Sequence, residues 1–482
     1  MRSQPLAGSR WWHPVTVMQR RPPIALTAVL GLCLVWSGGV LPGGATCAAQ
    51  ERVTPVRLAA DWPQFRGPDG LGVFAATPLS REWSETEGVE WKVKVPGAGW
   101  SSPVIAEGLV WLTAATDAGK DLRVLAFDAA TGKLVKNIKV FDLDRAPAIH
   151  GKNSHASPTP IVSEGRVYVH FGSQGTACLD TAGKVLWKRV LPYYQHHGNG
   201  GSPVLCGGTL VVVCDGFTGP FYDKQVKPGI DAPQFAVGLS ADSGEVKWRR
   251  ARDGRHSYGT PLAVEVEGTP QVICPGGDSV WAYHPETGEE LWRCRYEGYS
   301  VIPRPVVAGG MVFVCTGYDT ASLLAIRLGG RGDVTGTHVA WKHSQGVPFT
   351  PSPVIVDRWL CLVSDNGILT CLDWQTGKQA WRERLGGNFS ASPLAVGNLV
   401  YCVSEEGVTH VVRVGERCEK LGTPKIKGKT YASLGVSAGR LFLRSDKQLY
   451  CFAAADPDDQ GGAPAAEQAA EASAKTAPES SK

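Results

Sequence analysis

Helical apolar patterns are missing from most of this sequence: after residue 50, no long stretch repeats apolar residues with the 3.6-residue period of an amphipathic helix. The chain also has no Cys-x-x-Cys pair, which excludes the zinc-knuckle, thioredoxin-like and haem-attachment motifs built on that spacing. Lysine and arginine are not clustered, and the formal net charge is only +4. These absences predict few helices and no nucleic-acid partner.

A short phrase is repeated along the chain, in which a glycine turn precedes a strand that usually ends in tryptophan. Its copies are TGKLVK (131–136), AGKVLW (182–187), SGEVKW (243–248), TGEELW (287–292), GTHVAW (336–341) and TGKQAW (376–381). A second phrase, centred on a proline before two apolar strands, lies between them. Its markers are Pro103, Pro160, Pro203, Pro261, Pro305, Pro353, Pro393 and, in a degenerate last copy, Gly435. The unit is therefore about 40–44 residues long, with two long insertions.

Each unit contains four short strand patterns, which is typical of one β-propeller blade. The fold class predicted is all-β: an eight-bladed propeller of four-stranded blades. The eighth unit lacks its fourth strand, and the segment GVEWKVKV (88–95) has the pattern of the missing one. We therefore expect the N-terminal strand to close the ring, because an open ring would expose a sheet edge and divide the core. The repeated tryptophans are expected to pack between neighbouring blades.

The chain divides into four segments. Residues 1–49 carry four arginines, then the apolar run 24–36, then small residues, and no acid occurs before Glu51. This pattern predicts a signal peptide and a secreted or periplasmic protein. Twin-arginine export through Arg20 and Arg21 and lipid attachment at Cys47 remain alternatives. Residues 50–87 form an N-terminal leader, residues 88–453 the propeller, and residues 454–482 an Ala/Glu/Pro-rich tail that is expected to be disordered. No transmembrane segment is expected in the mature chain.

The cysteines do not predict disulfides, although the protein is expected to be exported. Eleven of the 13 lie beyond the signal segment, an odd number, and several occupy equivalent strand positions in different blades. Such positions point the same way rather than toward one another. Most of these cysteines are therefore expected to be small buried hydrophobic residues.

The geometry of a propeller predicts where a site would lie. The segments leading into the innermost strands and the loops between second and third strands share one face, and both insertions (141–156 and 214–235) fall there. Polar residues of blades two to five converge on this face, around the mouth of the central channel. The predicted ligand-binding residues are His155, His196, His197, Asp215, His256, Tyr258 and Arg304. The alternative is that these loops only satisfy backbone polar groups; no metal site is predicted, because adjacent histidines are not a ligand spacing.

The repeats resemble the PQQ-type propeller repeat, with its aliphatic-Asp-x-x-Thr-Gly-Lys/Glu-x-x-Trp core and a Ser-Pro step opening the next blade. The resemblance covers about residues 88–453, and the phrase DWPQFRGPDGLG (61–72) is similar to the opening of secreted bacterial propellers of this type. That superfamily includes quinoprotein alcohol dehydrogenases and the propeller subunit of the machinery that assembles outer-membrane β-barrels. One fold hosts many functions, so the resemblance implies the fold more strongly than an activity.

Two function classes follow. The first is a monomeric binding or scaffolding propeller that holds a protein or cell-envelope ligand at the channel mouth, without a cofactor. The alternative is a PQQ-dependent alcohol or aldose dehydrogenase, whose cofactor the resemblance would place at the mouth with Ca²⁺. Against the alternative, the chain has no Cys-Cys dipeptide and no Glu/Asn/Asp set that matches a calcium site. Another enzyme class stays open, but a hydrolytic Ser/His/Asp set cannot be assembled from spacing alone.

Overall fold

The computed structural model describes residues 53–57, 62–74, 79–195, 197–217 and 234–454. The predicted signal peptide lies outside the described residues, and so does the predicted disordered tail beyond Ala454. Within the described residues the secondary structure is almost entirely β. The exceptions are two short 3₁₀ turns, Asp117–Gly119 and Gly172–Gln174, and no described helix is long and apolar enough to span a membrane.

Three strands precede the first blade, and blades one to four then follow in chain order. The preceding strands are β1 (Val53–Pro55), β2 (Val73–Phe74) and β3 (Val89–Lys94). Blades one and two contain β4 (Val104–Ala106), β5 (Leu109–Thr116), β6 (Asp121–Asp128), β7 (Leu134–Asp142), β8 (Ile161–Ser163), β9 (Arg166–His170), β10 (Thr176–Asp180) and β11 (Val185–Arg189). Blades three and four contain β12 (Val204–Cys206), β13 (Thr209–Asp215), β14 (Gln234–Ser240), β15 (Val246–Ala251), β16 (Leu262–Val266), β17 (Thr269–Pro275), β18 (Ser279–Tyr283) and β19 (Glu290–Arg295).

The last four blades repeat the same order, from the innermost strand to the outermost. Blades five and six contain β20 (Val306–Ala308), β21 (Met311–Cys315), β22 (Leu323–Arg327), β24 (Val339–His343), β25 (Val354–Val356), β26 (Trp359–Val363), β27 (Ile368–Asp373) and β28 (Gln379–Arg384). Blades seven and eight contain β29 (Leu394–Val396), β30 (Leu399–Val403), β31 (Thr409–Arg413), β32 (Glu419–Gly422), β33 (Gly435–Ser437), β34 (Arg440–Arg444) and β35 (Gln448–Phe452). The short β23 (Gly332–Asp333) pairs in parallel with the outer strand of blade four.

The ring closes as the sequence predicts. Strand β3 pairs antiparallel with β35 and is the outermost strand of blade eight. The predicted eight-bladed, all-β fold is therefore confirmed. The first strand of the propeller belongs to the last blade, so opening the ring at this point would require a whole strand to leave its sheet.

Neighbouring blades are joined by a tryptophan that reaches from the outer strand of one blade to the glycine turn of the next. Trp91 Nε1 donates to the carbonyl of Ala129, 3.2 Å away, and its ring covers Gly132, where a Cβ would lie 2.6 Å from the ring. Equivalent Nε1 bonds to the next blade are made by Trp187, Trp248, Trp341 and Trp381. Trp292 differs, because its Nε1 bonds Gln271 of its own blade, although its ring is in the core between blades four and five. The predicted packing role of these residues is confirmed.

Leader residues 53–57 and 62–74 lie against the inner edges of the blades, which their sequence pattern did not predict. Strand β1 pairs with β16, the innermost strand of blade four, and β2 pairs in parallel with β29 of blade seven. Between them, Trp62 exchanges two backbone hydrogen bonds with Ile105 of blade one. The Arg66 guanidinium donates to the carbonyl of Pro353 in blade six, at 2.6 Å. These segments thus tie blades on opposite sides of the ring together, and residues 62–74 cross the channel.

The cysteines match their predicted structural role. All eleven described cysteines are free thiols, and all but Cys418 are buried. Burial raises the pKa of most of these thiols, that of Cys178 to about 12. They contribute volume to the cores between blades, as the repeat-equivalent positions indicate.

Gly132 provides a test of the contact between blades. Gly132 and Gly108 have the same φ of 71°, but a Cβ at Gly108 would meet no atom within 4 Å. We expect Gly108→Ala to cost about 1–2 kcal/mol from left-handed backbone strain. Gly132→Ala should cost about 1–3 kcal/mol more, because the methyl group overlaps the Trp91 ring. Urea unfolding of both variants measures the difference, and equal losses would contradict the proposed role of the contact.

Candidate functional site

A cavity of about 750 Å³ occupies the channel mouth. Its wall is formed by the segments that lead into the innermost strands, which we call the mouth segments, and all eight blades contribute to it. Phe65 of the leader also lines the cavity. Because leader residues 62–74 cross the channel beyond this point, the cavity is a cup that opens on the mouth side rather than a pore.

A ring of hydrogen bonds runs around the wall of this cup. In seven of the eight blades the residue at the same position of the mouth segment is serine or threonine, and its hydroxyl accepts the backbone N–H of the equivalent residue in the preceding blade. The seven bonds are 2.9–3.0 Å long. The residues of this hydroxyl ring are Ser102, Thr159, Ser202, Thr260, Ser352, Ser392 and Ser433. The ring fixes the spacing of the blades at the mouth.

Arg304 occupies the eighth position of the ring, in blade five. Its own N–H donates to Ser352, but its side chain turns to the leader. There Nη1 donates to the carbonyl of Phe65 at 2.6 Å, and Nη2 lies 3.4 Å from Gln64 Oε1. Gly70 leaves room for it, since a Cβ there would lie 2.3 Å from the guanidinium carbon. Burial lowers the pKa of Arg304 to about 10, so the group is still cationic at neutral pH.

An arc of aromatic rings follows the rim from blade two to blade six. Successive ring centroids are 3.9–6.1 Å apart, in stacked, tilted or edge-to-face contacts. In order, the arc consists of His150, His197, Phe217, His256, Tyr299, Tyr318 and Phe349. On the other side of the mouth, Trp100 and Tyr431 lie 4.5 Å apart. The rim is therefore largely aromatic, and its Tyr318 is 51 % exposed.

Three of the predicted residues meet at this arc: His197 and His256 belong to it, Tyr258 contacts both, and all three line the cavity. His197 Nδ1 lies 3.0 Å from the Tyr258 hydroxyl, and His256 Nε2 lies 2.9 Å from Ser300 Oγ. Burial, with smaller contributions from His197 and Arg255, lowers the pKa of His256 to about 4. His256 is therefore neutral at pH 7.

The other predicted residues lie elsewhere. Asp215 is buried behind the wall, where Ser257 donates to it at 2.6 Å and Arg252 lies 3.1 Å away; burial raises its pKa to about 6. His155 is half-buried against Gly119, and burial lowers its pKa. Neither residue lines the cavity, nor does Arg304, so their placement gives no support to the prediction that they contact a ligand. His196 lies outside the described residues.

The hydroxyl ring is the part of the site that sequence analysis missed. Its signal is present in the repeats, because a serine or threonine directly precedes the proline in six of the eight copies of the second phrase. Rim residues such as Tyr299 and Tyr318 have no comparable signal, since nothing in their local sequence says which way the loop turns.

A Gly-x-Ser-x-Gly pattern also occurs at 435–439. Its Ser437 ends the innermost strand of blade eight in a hairpin, which is not the strand-to-helix turn of a nucleophile elbow.

The described residues do not fit a calcium-bound PQQ. Such a site requires several carboxylate or amide oxygens around the cation and cationic partners for the three carboxylates of the quinone. Among the described lining residues Asp365 is the single carboxylate, and its Oδ2 accepts the Phe349 N–H. The Lys152 ammonium, which also lines the cup, lies 2.9 Å from Glu405 Oε1. No group of three His, Cys, Asp or Glu suited to a metal occurs in the described part of the chain.

Comparisons with known proteins agree on the fold. A family model described as outer membrane protein assembly factor BamB matches residues 76–216, 235–331 and 330–417, together more than half of the chain. A search of curated proteins found no match. Among solved structures, BamB from Moraxella catarrhalis is 15 % identical with a TM-score of 0.53, and the match covers 76 % of this chain and 98 % of that one.

A second solved structure represents the enzyme branch of the superfamily. The quinohemoprotein alcohol dehydrogenase from Comamonas testosteroni is 12 % identical with a TM-score of 0.55, and the match covers 82 % of this chain and 81 % of that one. The computationally designed protein Ika8 is also similar, at 12 % identity and a TM-score of 0.51, covering 78 % of this chain and 98 % of its own. At these identities the likeness shows the fold alone.

The position of Arg304 leads to a first expectation for the site. Arg304→Met would remove a charged donor from the partly buried carbonyl of Phe65, which costs about 1–3 kcal/mol. We expect amide hydrogen exchange of residues 62–74 to become about tenfold faster or more. Arg417→Met, at an exposed position, is the control and should leave that exchange unchanged. Equal protection of the leader in both variants would rule out Arg304 as its anchor.

The low pKa of His256 leads to a second expectation. The unfolded chain binds a proton near pH 6.5, whereas the folded protein binds it only near pH 4. The stabilisation from neutral His256 is therefore complete above pH 6.5 and lost as the pH falls toward 4. We expect the melting temperature of His256→Gln to vary less than that of the wild type over this range. Histidine C2 hydrogen exchange read by mass spectrometry should give a midpoint near 4; a midpoint near 6.5 would refute the assignment.

Proposed function

Because the chain belongs to the family described as outer membrane protein assembly factor BamB, we propose that it is a binding or scaffolding propeller outside the cytoplasm. It holds a protein or cell-envelope ligand on the channel-mouth face. The observation that carries this proposal is the cup, to which all eight blades contribute. A concave site with convergent polar and aromatic side chains is the usual form of a ligand site.

The rigidity of the cup supports a binding role. The hydroxyl ring fixes the wall, and the leader fixes the floor through Arg304 and Phe65. A preformed site loses little conformational entropy when a ligand binds, so more of the contact energy contributes to affinity. The reaction chemistry of a quinoprotein has no matching support, since the described lining residues do not fit the cofactor.

The proposed location rests on two observations. The sequence of residues 1–49 has the pattern of a secretory signal. The family description refers to the assembly of outer membrane proteins. An exported propeller of this kind would meet envelope components on either face. The position of the cup favours the channel-mouth face as the binding face.

A photo-crosslinking amino acid placed at one of two positions tests the proposal. Position 318 lies on the rim of the cup, and position 375 is an exposed residue of a glycine turn on the opposite face. The full chain carrying either substitution is exposed to cell-envelope extract and illuminated. We expect adducts from position 318, suppressed by excess wild-type protein, and none from position 375.

Two results would contradict the proposal. Adducts formed equally from both positions would indicate non-specific contact, and adducts formed only from position 375 would place the binding face on the other side. Circular dichroism and the melting temperature of both variants show that a missing adduct does not come from misfolding.

A further inference from the structure

The chemistry of the cup indicates what it binds, if the proposed binding function is correct. We propose that the cup recognises the end of a neutral carbohydrate chain. Four features of the described residues support this: the closed floor, the aromatic rim, the hydroxyl ring and the pairing of the charged side chains.

The closed floor determines how a chain could enter. Leader residues 62–74 cross the channel, with contacts to blades one, five, six and seven, so a polymer cannot thread through the ring. A ligand must enter from the mouth and stop at the floor. Cavities of this size hold ligands of drug-like size, which corresponds to about two or three pyranose rings. The cup is therefore suited to a chain end rather than to the middle of a chain.

The aromatic rim supplies surfaces for the apolar faces of sugar rings. Aromatic rings carry a negative face, which attracts the weakly positive C–H groups on one side of a pyranose. Tyr318 is half-exposed and lies 5.4 Å from Phe349, ring centre to ring centre. Trp100 and Tyr431 face the opening from the opposite side. A sugar ring at the mouth would have aromatic side chains on both sides.

The hydroxyl ring supplies directed donors. A serine or threonine hydroxyl has one donor and two acceptor positions, and the ring uses an acceptor position of each for the neighbouring N–H. Ser392 donates to Ser352 at 3.0 Å. The other six hydroxyls donate no hydrogen bond to another described residue. Because they line the cup, their protons can turn toward the hydroxyl oxygens of a sugar.

The charges of the cup favour a neutral ligand. Lys152 pairs with Glu405, and Asp365 accepts a backbone N–H. The Arg304 guanidinium is turned away into the leader. An anionic ligand would lose its hydration and find one cationic side chain among the described lining residues, Lys152, for which it would have to compete with Glu405. A sugar loses only hydroxyl–water bonds, and the ring and rim can replace them.

Binding of the full chain to a glycan array that carries neutral and anionic oligosaccharides tests the inference, with cello-, xylo-, manno- and chito-oligosaccharides then titrated by calorimetry. We expect neutral glycans to bind, with affinity rising up to two or three sugar units and little beyond. Tyr318→Ala and Phe349→Ala should each weaken binding about three- to tenfold, the range of one aromatic contact. Leu186→Ala, an exposed aliphatic residue on the outer strand of blade two, is the matched control and should not change it.

Other results separate this inference from the proposed function. Binding to anionic glycans only, to PQQ with Ca²⁺, or to no glycan on the array would overturn the carbohydrate assignment. If the adducts from position 318 are then found by mass spectrometry to be peptides, the binding function stands and only its ligand class is wrong. If position 318 forms no adduct and no glycan binds, both proposals fall.

Discussion

Every blade of this propeller depends on the next one, because a four-stranded sheet cannot bury both of its faces alone. Two repeated contacts join the blades. Near the outside, a tryptophan indole of one blade covers a glycine turn of the next. Around the channel, a backbone N–H of one blade meets a hydroxyl of the next. The ring closes because β3 brings Trp91 to Gly132, so that the last junction has the tryptophan–glycine contact that Trp187, Trp248 and Trp341 make at other junctions.

The inner contact also gives the site its chemistry. The hydroxyls that space the blades use an acceptor position for that purpose and keep their protons for other partners. A structural ring thus becomes a ring of donors around a cup. The leader supplies the floor, since it replaces an open channel with Phe65 and the backbone around it. Architecture and binding surface are consequently made of the same residues.

Blade five contributes no hydroxyl to the ring, and there is a physical reason for this. A hydroxyl at position 304 would extend the ring but would leave the leader carbonyl of Phe65 without its donor. The arginine makes that bond instead, at the cost of burying a cation. Arg304 shows that a polar residue in a mouth segment can bond another part of the protein instead of facing a ligand. Asp215 likewise pairs with Arg252 behind the wall.

The sequence by itself determined the repeat, the number of blades, the closing strand and the packing of the tryptophans, because each depends on spacing and on local strand patterns that recur. It also determined the face on which polar loops collect, and three of the predicted residues, His197, His256 and Tyr258, do line one cup. Only the tertiary structure decided that leader residues 62–74 cross the channel, that Arg304 and Asp215 are buried, and that aromatic side chains from five blades form one arc. Those outcomes depend on which way side chains turn once distant segments meet, and that direction is set by packing between blades rather than by neighbours in the chain.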